Sequence, residues 1–206
     1  EIFSPAKINL SLKVLKKLSN GYHLISSHVI FINLFDRIFI KTSNSNKIKI
    51  VGPYKDTLLN NGGELLIHKT LKACQSNGIT KDNFNVLLEK NIPISAGLGG
   101  GSSNSASLIR YFMSIDMKKK VGDVIEFSKS FGADVPACLY SRPLLMEGIG
   151  EKLSFINCNK KLNLGIVLIN PKIQVSTKDV FEKLFFDQNK IQNDIKFLKI
   201  NNLKTF

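Results

Sequence analysis

Apolar and polar residues alternate from Ala6 to Leu15. Ala6, Ile8, Leu10, Leu12 and Val14 are apolar, with Lys7, Asn9, Ser11 and Lys13 between them. A period of two is the mark of a strand with one buried face, and it puts Lys7 and Asn9 together on the polar face. Asn20-Gly21 reads as a turn. Strand-like pieces follow at His28–Leu34, Arg37–Lys41 and Lys47–Val51, predicting an antiparallel meander. Leu65–Gln75 has helical spacing, with Asn77-Gly78 as its stop signal. Asn83–Leu88 reads as a strand, and Ser103–Ile115 as a helix with Ala106, Ile109, Phe112 and Met113 on one side. A second helix is predicted over Val121–Phe131, ended by Gly132. Leu144–Met146 and Leu164–Ile169 read as strands. Ser176 is a cap for a helix through Phe186, with Asp179 in its first turn. Strands flank helices without a repeated βαβ rhythm, so the pattern predicts a two-layer α+β fold rather than a doubly wound sheet.

Composition narrows the function classes. The 206 residues are 43% hydrophobic and 22% charged, enough for a real core. No uncharged apolar run approaches the roughly 20 residues of a membrane span. The start, Glu1-Ile-Phe-Ser-Pro5, lacks a secretory pattern. The net charge is +13, but 26 of the 29 basic residues are Lys and they are scattered. Nucleic-acid surfaces lean on Arg and clustered charge, so a lysine-coated surface is expected, with neither a nucleic-acid nor a membrane partner. Cys74, Cys138 and Cys158 are few, odd in number and far apart. They suit buried thiols in a reducing cytoplasm. The three histidines do not suggest a protein-only metal cage, and neither metal ligands nor oligomeric state can be read.

The chemistry concentrates in Pro93-Ile94-Ser95-Ala96-Gly97-Leu98-Gly99-Gly100-Gly101-Ser102-Ser103. Glycines let backbone N–H groups approach an anion, and a helix starting behind them adds unpaired N–H groups and a positive dipole end. The combination is a phosphate cradle. It is not a Walker A loop, because no Gly-Lys-Ser/Thr follows, and the dinucleotide fingerprint fails at Ser102. Ser102 or Ser103 can cap the helix, and a hydroxyl there can reach a phosphate or Mg²⁺.

This stretch resembles the second motif of the GHMP kinases. Ser4-Pro-Ala-Lys7-Ile-Asn9-Leu10, Asn20-Gly-Tyr22-His23 and Gly132-Ala-Asp134-Val-Pro136 surround it in that superfamily's order. They resemble the branch that phosphorylates the 2-hydroxyl of a cytidine-diphosphate derivative of methylerythritol in the non-mevalonate isoprenoid pathway. The resemblance implies a GHMP fold whose N-terminal lobe is like a ribosomal protein domain, with the site between two lobes. It implies ATP as phosphoryl donor, and Mg²⁺ is assumed to accompany it. It makes Lys7 and Asp134 catalytic, gives residues 93–103 to ATP, and gives Asn9, Tyr22, His23 and Phe181 to a cytidine-containing substrate. By pattern alone, Lys7 and Asn9 are ordinary polar-face residues, Asp134 an N-cap and Phe181 a core residue paired with Phe185. A composition shift near Asn157–Lys161 suggests residues 1–157 as the ATP-binding lobe and 158–206 as part of a second. After Gly165 there is no glycine, hence no third glycine-rich motif. A catalytically impaired remnant and another GHMP small-molecule kinase therefore stay open as alternatives.

Overall fold

The computed structural model describes residues 1–60, 65–115, 121–156, 165–170 and 180–181. Six strands form one sheet: β1 (Ile2–Lys17), β2 (His23–Ser43), β3 (Lys47–Val51), β4 (Asn83–Glu89), β5 (Leu144–Gly148) and β6 (Lys152–Phe155). Among the described residues the helices beside them are α1 (Lys55–Asn60), α2 (Leu66–Ser76), α3 (Gly100–Ile115), α4 (Val121–Lys129) and α5 (Val135–Tyr140). The long β2 organises the sheet. It pairs antiparallel with β1, with β4 through Arg37–Ser43 and with β5 through Ile25–Val29.

The main core lies between this sheet and the helices. Ile38, Ile50, Phe84, Val86 and Leu88 from the strands meet Ile67 and Leu71 of α2 and Ala106, Leu108, Ile109 and Phe112 of α3. The helix periodicity read from the sequence is thus the face that α3 buries. A smaller cluster of Ile25, Val29, Ala137, Leu144 and Met146 sits under α5. The arrangement is two-layered and α+β, as the pattern predicts.

Several elements differ from the sequence reading. The two pieces at His28–Leu34 and Arg37–Lys41 are one strand, and Asp36 between them is buried with its charge matched. The strand β3 pairs with β4 in parallel, so the sheet is not a simple meander. In β1 the alternation holds only in part: Leu10 and Leu12 are half exposed while Lys7 is buried, because register shifts at Pro5/Ala6 and Asn9/Ser11 break the alternation and the glycine loop covers Lys7. Ser102 and Ser103 lie inside α3 rather than at its cap. Residues 165–170 are not a strand. Val180 and Phe181 are helical, while Ser176, Asp179 and the lobe boundary at 157/158 lie outside the described residues. No helix among the described residues is long and apolar enough to cross a membrane.

Candidate active site

The residues between β4 and α3 fold into a loop in which Ser95, Gly97 and Gly99 all take positive φ (53°, 72° and 62°). Only glycine adopts this without strain, and a succession of such residues turns backbone N–H groups toward one side. The first helical bond of α3 runs from the Ser103 N–H to the Gly99 carbonyl at 2.8 Å. The N–H groups of Gly100, Gly101 and Ser102 therefore precede the helical ladder and face the cradle unpaired by it. The loop is fastened to β1, whose Lys7 N–H donates to the Leu98 carbonyl at 2.8 Å.

Lys7 lies directly beneath. Its side chain is 5% exposed, and its Nζ is 2.9 Å from Asp134 Oδ2 and donates to Asn9 Oδ1 at 2.8 Å. A Cβ on Gly99 would stand 3.2 Å from both Cβ and Cε of Lys7 and 3.8 Å from the Asp134 carboxylate. Loop, lysine and carboxylate are one contiguous site. Asn9 in turn donates to Ser27 Oγ at 2.6 Å, and Ser27 donates to the Ser11 carbonyl at 2.6 Å. Sequence reasoning missed Ser27, which lies opposite Leu12 on β2, two positions from Val29, the partner of Asn9.

Asp134 precedes α5 but makes no capping bond with its side chain. The carboxylate points to Lys7 and remains 31% exposed, so a ligand can reach it. Two contacts hold its loop. Arg110 of α3 donates to the Cys138 and Leu139 carbonyls at 3.1 Å and to Ser141 Oγ at 2.7 Å, fixing the end of α5. Gly150, at φ 112°, lies so close that a Cβ would be 2.6 Å from the Ala133 carbonyl oxygen. Below Asp134, Cys138 is fully buried; burial, then the Asp134 charge, pushes its thiol far above the ordinary range, against Lys7 and Arg110.

At the far end of the β1–β2 hairpin, His23 meets Phe181 with ring centroids 5.1 Å apart. Tyr22 stands at the hairpin tip, 56% exposed. The structure thus brings together Lys7, Asn9, Asp134 and the loop, and separately His23 with Phe181. Ser102 Oγ is 4.0 Å from where a Cβ on Gly132 would be, placing that hydroxyl between the glycine loop and the Asp134 loop. Ser103 Oγ is buried and has no hydrogen-bond partner among the described residues. Among the described residues no three His, Cys, Asp or Glu side chains converge as a metal cage.

The match to the GHMP kinases N terminal domain covers residues 65–142, from α2 through α5. The chain has the GHMP kinase fold. Its relatives include 4-diphosphocytidyl-2-C-methyl-D-erythritol kinases. That of a Chelativorans species is 34% identical over 193 residues, covering 92% of this chain and 64% of the relative. That of Persephonella marina is 38% identical over 187 residues, covering 88% and 64%. A crystal structure of 4-(cytidine 5'-diphospho)-2C-methyl-D-erythritol kinase superposes with a TM-score of 0.60 at 30% identity, over 75% of this chain and 54% of that one. The chain therefore spans somewhat less than two thirds of the length of the curated relatives it matches.

Proposed function

We propose that the protein transfers the γ-phosphoryl group of ATP to the 2-hydroxyl of 4-diphosphocytidyl-2-C-methyl-D-erythritol, a step of the non-mevalonate isoprenoid pathway. The observation that carries this reading is the Lys7–Asp134 ion pair packed against Gly99 of the glycine loop. The loop N–H groups and the start of α3 receive the nucleotide phosphates. Asp134 accepts the proton of the attacking hydroxyl as that oxygen forms its bond to the γ-phosphorus. The bond from phosphorus to the bridging β,γ-oxygen breaks, and ADP leaves. Lys7 holds Asp134 in place and stabilises the negative charge on the transferring group, where positioning and neutralisation carry most of the catalysis. Asn9 orients Lys7 and faces the methylerythritol.

Mg²⁺ fits this site as a companion of the triphosphate. The donors nearby are hydroxyls of Ser102 and Ser103 and the Asp134 carboxylate, hard oxygens for a cation that keeps most of its ligands as phosphate and water. Its chemistry would be neutralisation of phosphate charge. His23 and Phe181, with Tyr22 beside them, take the cytosine end. His23 lies eight residues along β2 from Phe31, the partner of Lys7, so the reading calls for an elongated substrate with a base at one end and the reacting alcohol at the other. Residues 1–157 form the ATP-binding lobe and 158–206 contribute to a second. The buried thiols of Cys74 and Cys138 suit a cytoplasmic enzyme, and neither nucleic acid nor membrane enters the reading.

ADP release with the cytidine substrate, mevalonate and homoserine in parallel tests the substrate class. A preference of about 100-fold or more for the cytidine compound is expected, a base and its hydrogen bonds being discriminated strongly. Comparable turnover of mevalonate or homoserine would overturn the assignment of His23 and Phe181.

A further inference from the structure

A second charged cluster packs against the glycine loop at Gly100, one residue on from the glycine that packs against Lys7. Asp36 of β2 is fully buried, and among the described residues its carboxylate accepts from four donors. Its Oδ1 accepts the N–H groups of Asn91 (2.7 Å) and Ile92 (2.8 Å). Its Oδ2 accepts Lys90 Nζ (2.5 Å) and Asn104 Nδ2 (3.0 Å). Lys90, 2% exposed, also donates to the Ile92 carbonyl at 2.9 Å. A Cβ on Gly100 would stand 3.0 Å from its Nζ. One carboxylate thus gathers the residues just before Pro93, where the loop begins, and the first turn of α3, where it has ended.

From this convergence we propose that Asp36, Lys90 and Asn104 form a pedestal that holds the glycine loop in its anion-receiving shape, as positioning residues for ATP. The proposal rests on the reading of that loop as the nucleotide site. A buried ion pair is a weak source of net stability compared with apolar packing of the same volume. What it supplies is direction: a carboxylate with four donors fixes where each donor's backbone lies. Burial keeps all three side chains from the ligand, so their effect passes through the loop. Burial also pulls the Lys90 ammonium below the ordinary lysine range, with Asp36 opposing.

The test compares the intact protein with the charge-neutral double variant Asp36→Leu/Lys90→Met and with Asn104→Ala, which removes only the fourth bond. Hydrogen exchange of amides 94–103 is read without ligand, and dissociation constants are measured for ATP and for CDP. The expected result for the double variant is loop exchange at least tenfold faster with β2 and β4 unchanged, ATP binding at least tenfold weaker, and CDP binding within twofold. Asn104→Ala is expected to weaken ATP about threefold with the same selectivity. Should the double variant fail to fold, Asn104→Ala decides by the same criteria. Loop exchange and ATP affinity both within the error of the unaltered protein, in a folded variant, would overturn the pedestal, as would equal weakening of ATP and CDP. An unaltered protein that does not bind ATP would instead overturn the kinase reading, and the loop exchange would then judge the pedestal alone.

Discussion

Burying an ammonium is costly unless its charge and its protons are matched, and Lys7 is matched by two side chains, Asp134 and Asn9. The next group along is Ser27, which accepts from Asn9 while donating to the Ser11 carbonyl. Ser27→Ala removes one buried hydrogen bond, a loss of about 1 kcal/mol. We expect kcat to fall about fivefold with KM for ATP unchanged, and Ser27→Thr to restore it. A loss confined to ATP affinity would contradict this role. Cys138 offers a pH test. Its folded pKa is raised, so its contribution to stability is complete below the unfolded value of 9.0 and is lost as pH rises above it. Above that value the unfolded chain ionises first, lowering stability by at most about 1.4 kcal/mol per pH unit. Urea midpoints at pH 8 and pH 10 should fall less in Cys138→Ala than in the unaltered protein. Periodicity alone shows Lys7 as a polar position on an alternating strand, and only the motif resemblance marks it as catalytic. Its burial depends on the glycine loop, which no local pattern of β1 contains. Ser27 and Asp36 were illegible for the same reason, since their partners come from distant segments.

Elements position these side chains through close backbone approach. Gly99 presses on Lys7, whereas a Cβ at Gly97 would meet nothing within 4 Å although its φ is similarly positive. Both alanine substitutions carry a backbone strain of about 1 kcal/mol; only Gly99→Ala also displaces the lysine. We expect kcat/KM to fall at least tenfold more in Gly99→Ala than in Gly97→Ala, with similar melting temperatures, and equal losses would contradict the packing argument. Helix periodicity locates α2, α3 and α4 well because each turns an apolar face into the core. The short α1 and β6 are not legible as elements, and α5 only through Asp134 as an N-cap, since 4 to 6 residues carry too little periodicity. The parallel pairing of β3 with β4 is set by a connection through α1 and α2, which strand patterns do not report.

At the scale of the molecule, the +13 charge bears on the proposed phosphate site. A basic surface draws in a polyanion, and salt screens it over about 10 Å at 0.1 M. The ATP association rate should fall several-fold between about 20 and 200 mM salt with the dissociation rate changing less; a salt-independent association rate would contradict steering. The motif order along the chain made the superfamily legible, and the convergence of Lys7 with Asp134 is the long-range fact that the order only implied. The central claim is that this pair, under the glycine loop, performs phosphoryl transfer. ADP release from Mg²⁺-ATP, with and without diphosphocytidyl-methylerythritol, measured beside Asp134→Asn, tests it most directly. The account predicts substrate-dependent ADP that drops about 10²- to 10⁴-fold in the variant. Undiminished release by a folded Asp134→Asn protein, or none from the folded unaltered protein, would contradict it.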